Sequence, residues 1–425
     1  MTASQLSVTF LAQMALILLV CRVVGVLARR IGQPQVVGEM IAGVAIGPSL
    51  LGQLAPNLEK LLFPPDSTKV LYVLAQLGVG LYMFLVGVEF RADAFRRQVR
   101  AAVSISLAGV VVPFLLAAVL TPWLLAQPGL FGDRTGQMEA SLFLGGAIAI
   151  TAFPMLARIL YEADLTGTSL GSLALAAGAV DDAVAWCFLA IVLATFSGTP
   201  STAFRAIFGG LAYAIFSLTL APRLLAPLGR RVERLGHLDS PHLAVLLALL
   251  MLCTCLTDAI GIHAVFGGFL LGTAVPRGLV ADQLKKQVEP FTVTFLLPIF
   301  FTFSGLNTRL DLLTDPSLAV AGLTIFAASI LGKGVACWGA ARLTGQDNRT
   351  ALAIGTLMNA RGLMELIIIN IGLQRHVIET PLFSILALMA VLTTLMATPL
   401  FEFVYGRHAR DGAGRIVELG QTEGA

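Results

Sequence analysis

The stretch Gly178-Ala179-Val180-Asp181-Asp182-Ala183-Val184-Ala185-Trp186 sets two adjacent carboxylates near the centre of an apolar run from about Ser169 to Thr195. In a helix that crosses a bilayer, these acids sit close to the midplane. Insertion scales charge each central Asp roughly 2.5–3.5 kcal/mol, and simulations of charged groups give more. Such a cost is tolerated when the acids have partners, water or a cation. What surrounds this pair therefore decides what the chain is.

Composition fixes the solvent. Hydrophobic residues make up 57% of the 425 and charged residues 12%, about half the charged share of a soluble chain, with a mean hydropathy of +0.86. The chain is expected to be an all-α polytopic membrane protein embedded in a lipid bilayer, with almost no room for a soluble domain. The net charge of +3 is small and implies no nucleic-acid partner. Cys21, Cys187, Cys253, Cys255 and Cys337 all fall inside apolar runs and read as small buried hydrophobes, so neither a metal centre, a disulfide nor a cofactor is expected. Met1 to Ser7 lacks a positive n-region, so the first apolar segment reads as a retained span.

About thirteen apolar segments follow one another, near 6–28, 35–54, 69–88, 99–123, 140–161, 169–197, 203–228, 241–259, 262–276, 288–306, 316–343, 349–373 and 380–405. Most Lys and Arg lie after odd-numbered segments or in the tail, among them Arg29, Arg30, Arg96, Arg97, Arg230, Arg231, Arg234, Lys285 and Lys286. The positive-inside rule then puts the N-terminus outside and the C-terminus in the cytoplasm. The odd number also divides into a first repeat over 6–197, a connecting helix over 203–228 and a second repeat over 241–405, with 406–425 as a short cytoplasmic tail. Two repeats of about six helices each, the second upside down, are the plan of many secondary transporters.

Matching features occupy both halves. The fifth span holds Ala149-Ile150-Thr151-Ala152-Phe153-Pro154, where the proline removes a backbone donor and disfavours helix at Phe153. The twelfth holds Gly355-Thr356-Leu357-Met358-Asn359-Ala360-Arg361-Gly362. Broken helices free backbone groups that coordinate ions, and membranes tolerate them only beside a cavity or packed protein. The sixth span carries Asp181 and Asp182, and its counterpart is taken as the eleventh, where Gly332-Lys333-Gly334 places a lysine near the middle. Acids, lysine and both breaks fall at similar depth.

Adjacent helical residues point about 100° apart, so one of the two acids pairs with Lys333 while the other faces a water-filled cavity. Burial favours the neutral form of a carboxyl and of a lysine unless each compensates the other. A carboxylate that binds either a proton or a metal cation, but not both, couples the two fluxes by competition, which is the least that an antiporter needs. The other intramembrane groups have structural or gating roles: Glu39 in Val37-Gly38-Glu39-Met40, His263 after a helix break, and Arg361 with Glu365, one turn apart and able to pair on one helix face.

Several stretches resemble the monovalent cation:proton antiporter family, in the branch of Kef-type systems and plant and fungal cation/proton exchangers. They are Gln33-Pro34-Gln35-Val36-Val37-Gly38-Glu39, Gly47-Pro48-Ser49-Leu50-Leu51-Gly52, Phe84-Leu85-Val86-Gly87-Val88-Glu89, Asp181-Asp182-Ala183-Val184-Ala185-Trp186, Gly261-Ile262-His263-Ala264-Val265-Phe266-Gly267 and Met358-Asn359-Ala360-Arg361-Gly362-Leu363-Met364-Glu365-Leu366. The resemblance runs over about 6–405. It implies a core domain with two crossed, interrupted helices, a scaffold that forms a homodimer, and elevator-like movement of the core. By that analogy Asp182 binds the transported cation (Na+ or K+, with Li+ as a further candidate) and the proton, Asp181 pairs with Lys333, and Thr151 and Asn359 lie near the ion. An Asp-Asp pair is similar to electrogenic members of the family. Kef-type systems usually carry a cytosolic nucleotide-binding domain, and this chain ends about 20 residues after its last span, so that regulation is expected to be absent in cis.

The expected protein is thus a transporter and not an enzyme, placed in a bacterial plasma (inner) membrane. The competing readings are a Kef-like potassium efflux pathway that passes current without proton counterflow, and a transporter of a small organic solute on the same fold. An intramembrane aspartyl protease needs facing acids from separate helices, whereas these are adjacent and no Gly-x-Gly-Asp segment occurs.

Overall fold

The computed structural model describes residues 2–89, 99–162, 165, 168–178, 180–181, 184, 200–260 and 264–406. Helices α1 (Ala3–Arg30), α2 (Gln35–Ile46), α3 (Pro65–Glu89), α4 (Val99–Leu125), α5 (Gln137–Ala149), α6 (Phe153–Glu162) and α7 (Ser169–Gly178) come first. After them run α8 over residues 200–235, α9 (Ser240–Ile260), α10 (Ala264–Ala274) and α11 over residues 279–306. The last four are α12 (Pro316–Leu343), α13 (Asn348–Leu357), α14 (Leu363–Gln374) and α15 (Thr380–Phe401). Among the described residues 9 helical stretches are long and apolar enough to cross a membrane, and the sole β pairing is an isolated bridge between Phe131 and Ile378. An all-helical chain satisfies its backbone groups within each segment, as hydrocarbon requires.

Hydropathy and helix disagree at two places. The connecting helix, expected over 203–228, continues to Leu235 and carries Arg230, Arg231 and Arg234 on its exposed face while Val232 is buried. The segment expected over 288–306 starts at Leu279, so Lys285 and Lys286 are helical as well. Hydropathy marks where lipid ends; an amphipathic helix keeps going into the aqueous layer. Both helices widen into a π turn, Phe216–Leu220 and Thr292–Leu296, just ahead of Pro222 and Pro298. The wider turn makes room for a ring that would clash with an ordinary preceding turn. The cysteines also differ from expectation: Cys21 and Cys337 are buried, but Cys255 is exposed on α9.

The chain divides into two compact units. The first gathers Met1–Leu27, Gly38–Arg91 and Trp186–Arg309. Its helices meet at glycines: a Cβ on Gly272 of α10 would lie 2.9 Å from the Gly87 Cα of α3, and the backbones of α2 and α11 touch at Gly43 and Gly305. Small residues let membrane helices approach until van der Waals packing and backbone contacts hold them. At one end Glu89 pairs with Lys285.

The second unit gathers Ala28–Val37, Ala92–Ala185 and Leu310–Ala425. Here α4 lies against α12, so close that a Cβ on Gly109 would sit 2.6 Å from the Cys337 sulfur. Helices α4 and α12 have nearly equal length, 27 and 28 residues, and each packs on the helix that leads into a break, α4 on α5 and α12 on α13. In length and in packing the eleventh span, expected as the counterpart of the sixth, resembles the fourth.

Helix α13 starts where the Asp347 carboxylate accepts hydrogen bonds from the backbone of Arg349 and Thr350. The Thr350 side chain, then backbone N–H groups, hold its carboxyl below the usual carboxylate range. With the folded value depressed, the cap's contribution is present above the unfolded value of about 3.9 and is lost as pH falls through the folded one. Asp347→Ala is expected to lower stability by about 1 kcal/mol at pH 7, with the difference from wild type shrinking below about pH 4. Thermal unfolding in detergent at both pH values checks this.

Candidate functional site

Helix α5 stops at Ala149 because Ile150 turns extended, with φ −79° and ψ 135°, and α6 begins at Phe153. Pro154 was expected to interrupt the helix at Phe153. It instead occupies the first turn of α6, where its missing N–H leaves no bond unmade. The break therefore lies just upstream, at residues 150–152. The second break separates α13, ending at Leu357, from α14, starting at Leu363.

The two breaks are bonded to each other. The Ala152 N–H donates to the Ala360 carbonyl at 2.9 Å, and the Thr151 hydroxyl donates to the Met358 carbonyl at 2.7 Å. Two interrupted helices thus cross, each answering part of the other's loss of backbone bonds.

Charged side chains answer the rest. The Lys333 ammonium, from the middle of α12, donates to the Ala149 carbonyl at the end of α5 and to Asp181 Oδ2 at 2.8 Å. The same Asp181 oxygen accepts the Thr151 N–H at 2.8 Å, and its Oδ1 accepts the Ser106 hydroxyl of α4 at 3.4 Å. Asp181 and Lys333 are both 0% exposed. The cation sits at the negative end of one half-helix dipole and the anion beside the amides leading into the next, so each also compensates a helix terminus.

Arg361, also 0% exposed, lies in the second break. Its guanidinium donates to the Ala147 carbonyl at 2.8 Å and the Ile148 carbonyl at 2.5 Å, to Ser329 on α12, and to Glu365 at 3.2 Å. The one-turn pairing with Glu365 is present, but Arg361 is not on a helix face: two of its four side-chain bonds close the carbonyl end of α5. Thr394 of α15 anchors this segment, donating to the Arg361 carbonyl at 2.7 Å and accepting its N–H at 3.2 Å.

Asn359 stands in the same break. Its amide nitrogen donates to Gly355 at 3.1 Å and Ile330 at 3.4 Å, while its buried Oδ1 has no hydrogen-bond partner among the described residues. Asp181, Thr151, Asn359, Lys333, Arg361 and Glu365 all belong to the second unit. Glu39 belongs to the first, on α2 and 2% exposed. Asp182 and His263 lie outside the described residues. Sequence reading passed over Ser106, Ser329 and Thr394, single hydroxyls in apolar helices with no pattern around them. Their depth, level with the charged residues across the helices, was the available signal.

A family model described as sodium/hydrogen exchanger, transmembrane, matches residues 15–404. The chain is 40% identical to the Na+/H+ antiporter NhaS4 of Synechocystis sp. over 93% of its own length and 97% of that protein. It is 35% identical to cation/H+ antiporter 18 of Arabidopsis thaliana over 92% of this chain, and 32% identical to K+/H+ antiporter 1 of Saccharomyces cerevisiae over 95%. It spans only 48% and 47% of those two longer proteins. The solved structure of the sodium proton antiporter MjNhaP1 from Methanocaldococcus jannaschii superposes with a TM-score of 0.67 at 16% identity, covering 95% of this chain and 98% of that one. At that identity the likeness is one of fold.

Lys333→Met leaves the Asp181 charge buried without its partner, a change worth about 3–5 kcal/mol in comparable buried pairs. It is expected to lower the thermal stability of the purified protein sharply, and Asp181→Asn in the same chain to restore most of the loss. A double variant no more stable than Lys333→Met alone would count against the ion pair as the source.

Proposed function

The chain belongs to the sodium/hydrogen exchanger family, and we propose that it is a secondary antiporter exchanging a monovalent cation, Na+ or K+, for H+. The observation that carries this reading is how completely Asp181 is engaged: Lys333, the Thr151 N–H and the Ser106 hydroxyl all bind its carboxylate. The described charges at the crossing cancel in pairs, Asp181 with Lys333 and Glu365 with Arg361. The next residue, Asp182, adds a carboxyl that neither pair neutralises. Inside a membrane such a group is tolerated by taking up a proton or a cation, and it holds one of them at a time.

Asp182 is thus assigned the transported ion and the proton, and Asp181 the fixed ion pair. Asn359 supports the assignment with a buried amide oxygen that has no donor among the described residues, a free lone pair of the kind a dehydrated cation needs. Thr151, whose hydroxyl hydrogen is committed to Met358, likewise keeps oxygen lone pairs for a cation. Lys333 and Arg361 complete the logic by occupying the carbonyls at the end of α5. Half-helix ends of that kind otherwise attract cations in transporters, so these two side chains steer the mobile cation toward the acid.

The crossing is bonded across too many elements to open by parting its own helices. It is proposed to move as one body, exposing the site alternately in an elevator-like manner, with the remaining helices forming the scaffold of a homodimer. The bias of Lys and Arg supports a plasma (inner) membrane orientation with the N-terminus outside and the C-terminus in the cytoplasm. Names specifying Na+ and K+ both occur among relatives aligned over more than nine-tenths of the chain, so the cation is proposed at the level of its charge.

The test is exchange in everted vesicles. Addition of Na+, K+ or Li+ is expected to collapse a preformed pH gradient, and Asp182→Asn to abolish that response by at least two orders of magnitude in rate. Full exchange by Asp182→Asn would remove that residue from the site. Cation flux that leaves the pH gradient intact would replace the antiport reading with a channel-like efflux pathway.

A further inference from the structure

A crevice of about 320 Å³ lies in the second unit where α12, α13 and α15 diverge. That volume is within the range of about 300–1,000 Å³ in which proteins bind small ligands. Its walls are hydrocarbon. Leu331 and Val335 come from α12, Leu352 from α13, and Met396 and Leu400 from α15. These side chains are between 38% and 62% exposed, and two of the three helices, α12 and α15, are long and apolar enough to span the membrane, so the crevice opens toward lipid.

Apart from Asn359, the polar side chains of the lining have their donors engaged elsewhere. Thr356 donates to Leu352, Thr393 to Met389, and the Trp338 indole to Asn348. Asn359 Oδ1 is the one lining atom without a partner among the described residues; the rest of the wall is apolar and favours a hydrocarbon occupant.

The two walls also end alike. Along α12, Leu331, Val335, Trp338 and Arg342 recur at helical spacing on one face. Along α13, Arg349, Leu352 and Thr356 do the same. Each stripe therefore runs from the crevice to an exposed arginine at the α12–α13 turn. Arg342 spends one donor on the Gln346 carbonyl at 2.7 Å and has four others. Half-buried Trp338 stands between the hydrocarbon and the arginines, at the level that membrane-interface tryptophans favour.

We propose that this crevice binds one anionic phospholipid of the surrounding bilayer, with an acyl chain between α12, α13 and α15 and the phosphate at Arg342 and Arg349. The consequence reaches the ion site through the floor of the crevice, formed by Gly334, Gly355 and Asn359. A Cβ on Gly334 would lie 2.7 Å from the Asn359 amide nitrogen, and one on Gly355 would lie 2.6 Å from the Gly334 carbonyl. The bound chain thus braces the contact between Asn359 and Gly334, the residue next to Lys333 on α12. The lipid is a structural ligand of the break, independent of which cation is carried.

The probe is phosphatidylglycerol brominated along its acyl chains, titrated into the full chain in detergent and read by tryptophan quenching. The component of interest is the part lost in Trp338→Phe. It is expected to saturate, with half-saturation at least fivefold lower than for phosphatidylcholine bearing the same chains. Arg342→Gln with Arg349→Gln is expected to erase that preference. Val335→Phe, which fills the crevice, is expected to weaken both lipids about tenfold; Thr356→Leu serves the same purpose should Val335→Phe not fold. Quenching that rises linearly with lipid and ignores the filled crevice would overturn the proposal, and so would equal half-saturation for the two headgroups.

Discussion

One ion pair spans one gap in a helix. At the first break α5 gives up a carbonyl at Ala149, and the chain beyond gives up an amide at Thr151; Lys333 takes the carbonyl, Asp181 takes the amide, and the two side chains take each other. In hydrocarbon each orphaned peptide group costs several kcal/mol, and a lone buried charge costs more. Neither half of the arrangement stands without the other. A lysine alone would be a buried cation and an aspartate alone a buried anion, while the break without them would expose peptide groups to an apolar surround.

The second break repeats the logic with different chemistry. Arg361 carries its donors on a rigid fork, and the two terminal nitrogens make four bonds, to two carbonyls, Ser329 and Glu365. The arginine belongs to one interrupted helix and serves the terminus of the other. Direct bonds from Ala152 to Ala360 and from Thr151 to Met358 then tie the unwound segments together. What results is a fixed polar skeleton inside an apolar unit, with its described charges paired and with Asn359 Oδ1, Arg361 Nε and Glu365 Oε1 left without partners among the described residues.

Much of this skeleton was legible in the sequence because membrane interiors make polar residues conspicuous. Asp181, Lys333 and both interruptions stood out against apolar runs, and their shared depth could be measured by counting from each span's ends. Three things were not legible. Arg361 and Glu365 have the spacing of a helical pair, and nothing local says that the backbone under Arg361 is unwound. Ser106, Ser329 and Thr394 are too common in membrane helices to single out. The reach of the connecting helix to Leu235 and the start of α11 at Leu279 were hidden because hydropathy falls where lipid ends, not where helix does. Each miss concerns a partner or a boundary supplied by tertiary structure.

The bonds across the crossing join residues far apart in the chain: Arg361 reaches Ala147 over a separation of 214 residues. A ribosome adding about 5–20 residues per second needs on the order of ten to forty seconds to cover that distance. During that interval α5, α6 and Asp181 are already made while the arginine that closes the α5 carbonyls does not exist. The newly made first half therefore inserts with an unfinished polar core, which must wait in water, at the insertion machinery or against α4 until the last helices arrive. Biogenesis, more than the finished fold, is where this architecture is most exposed, and a chain stalled before residue 361 would be a substrate for quality control even though most of its helices are complete.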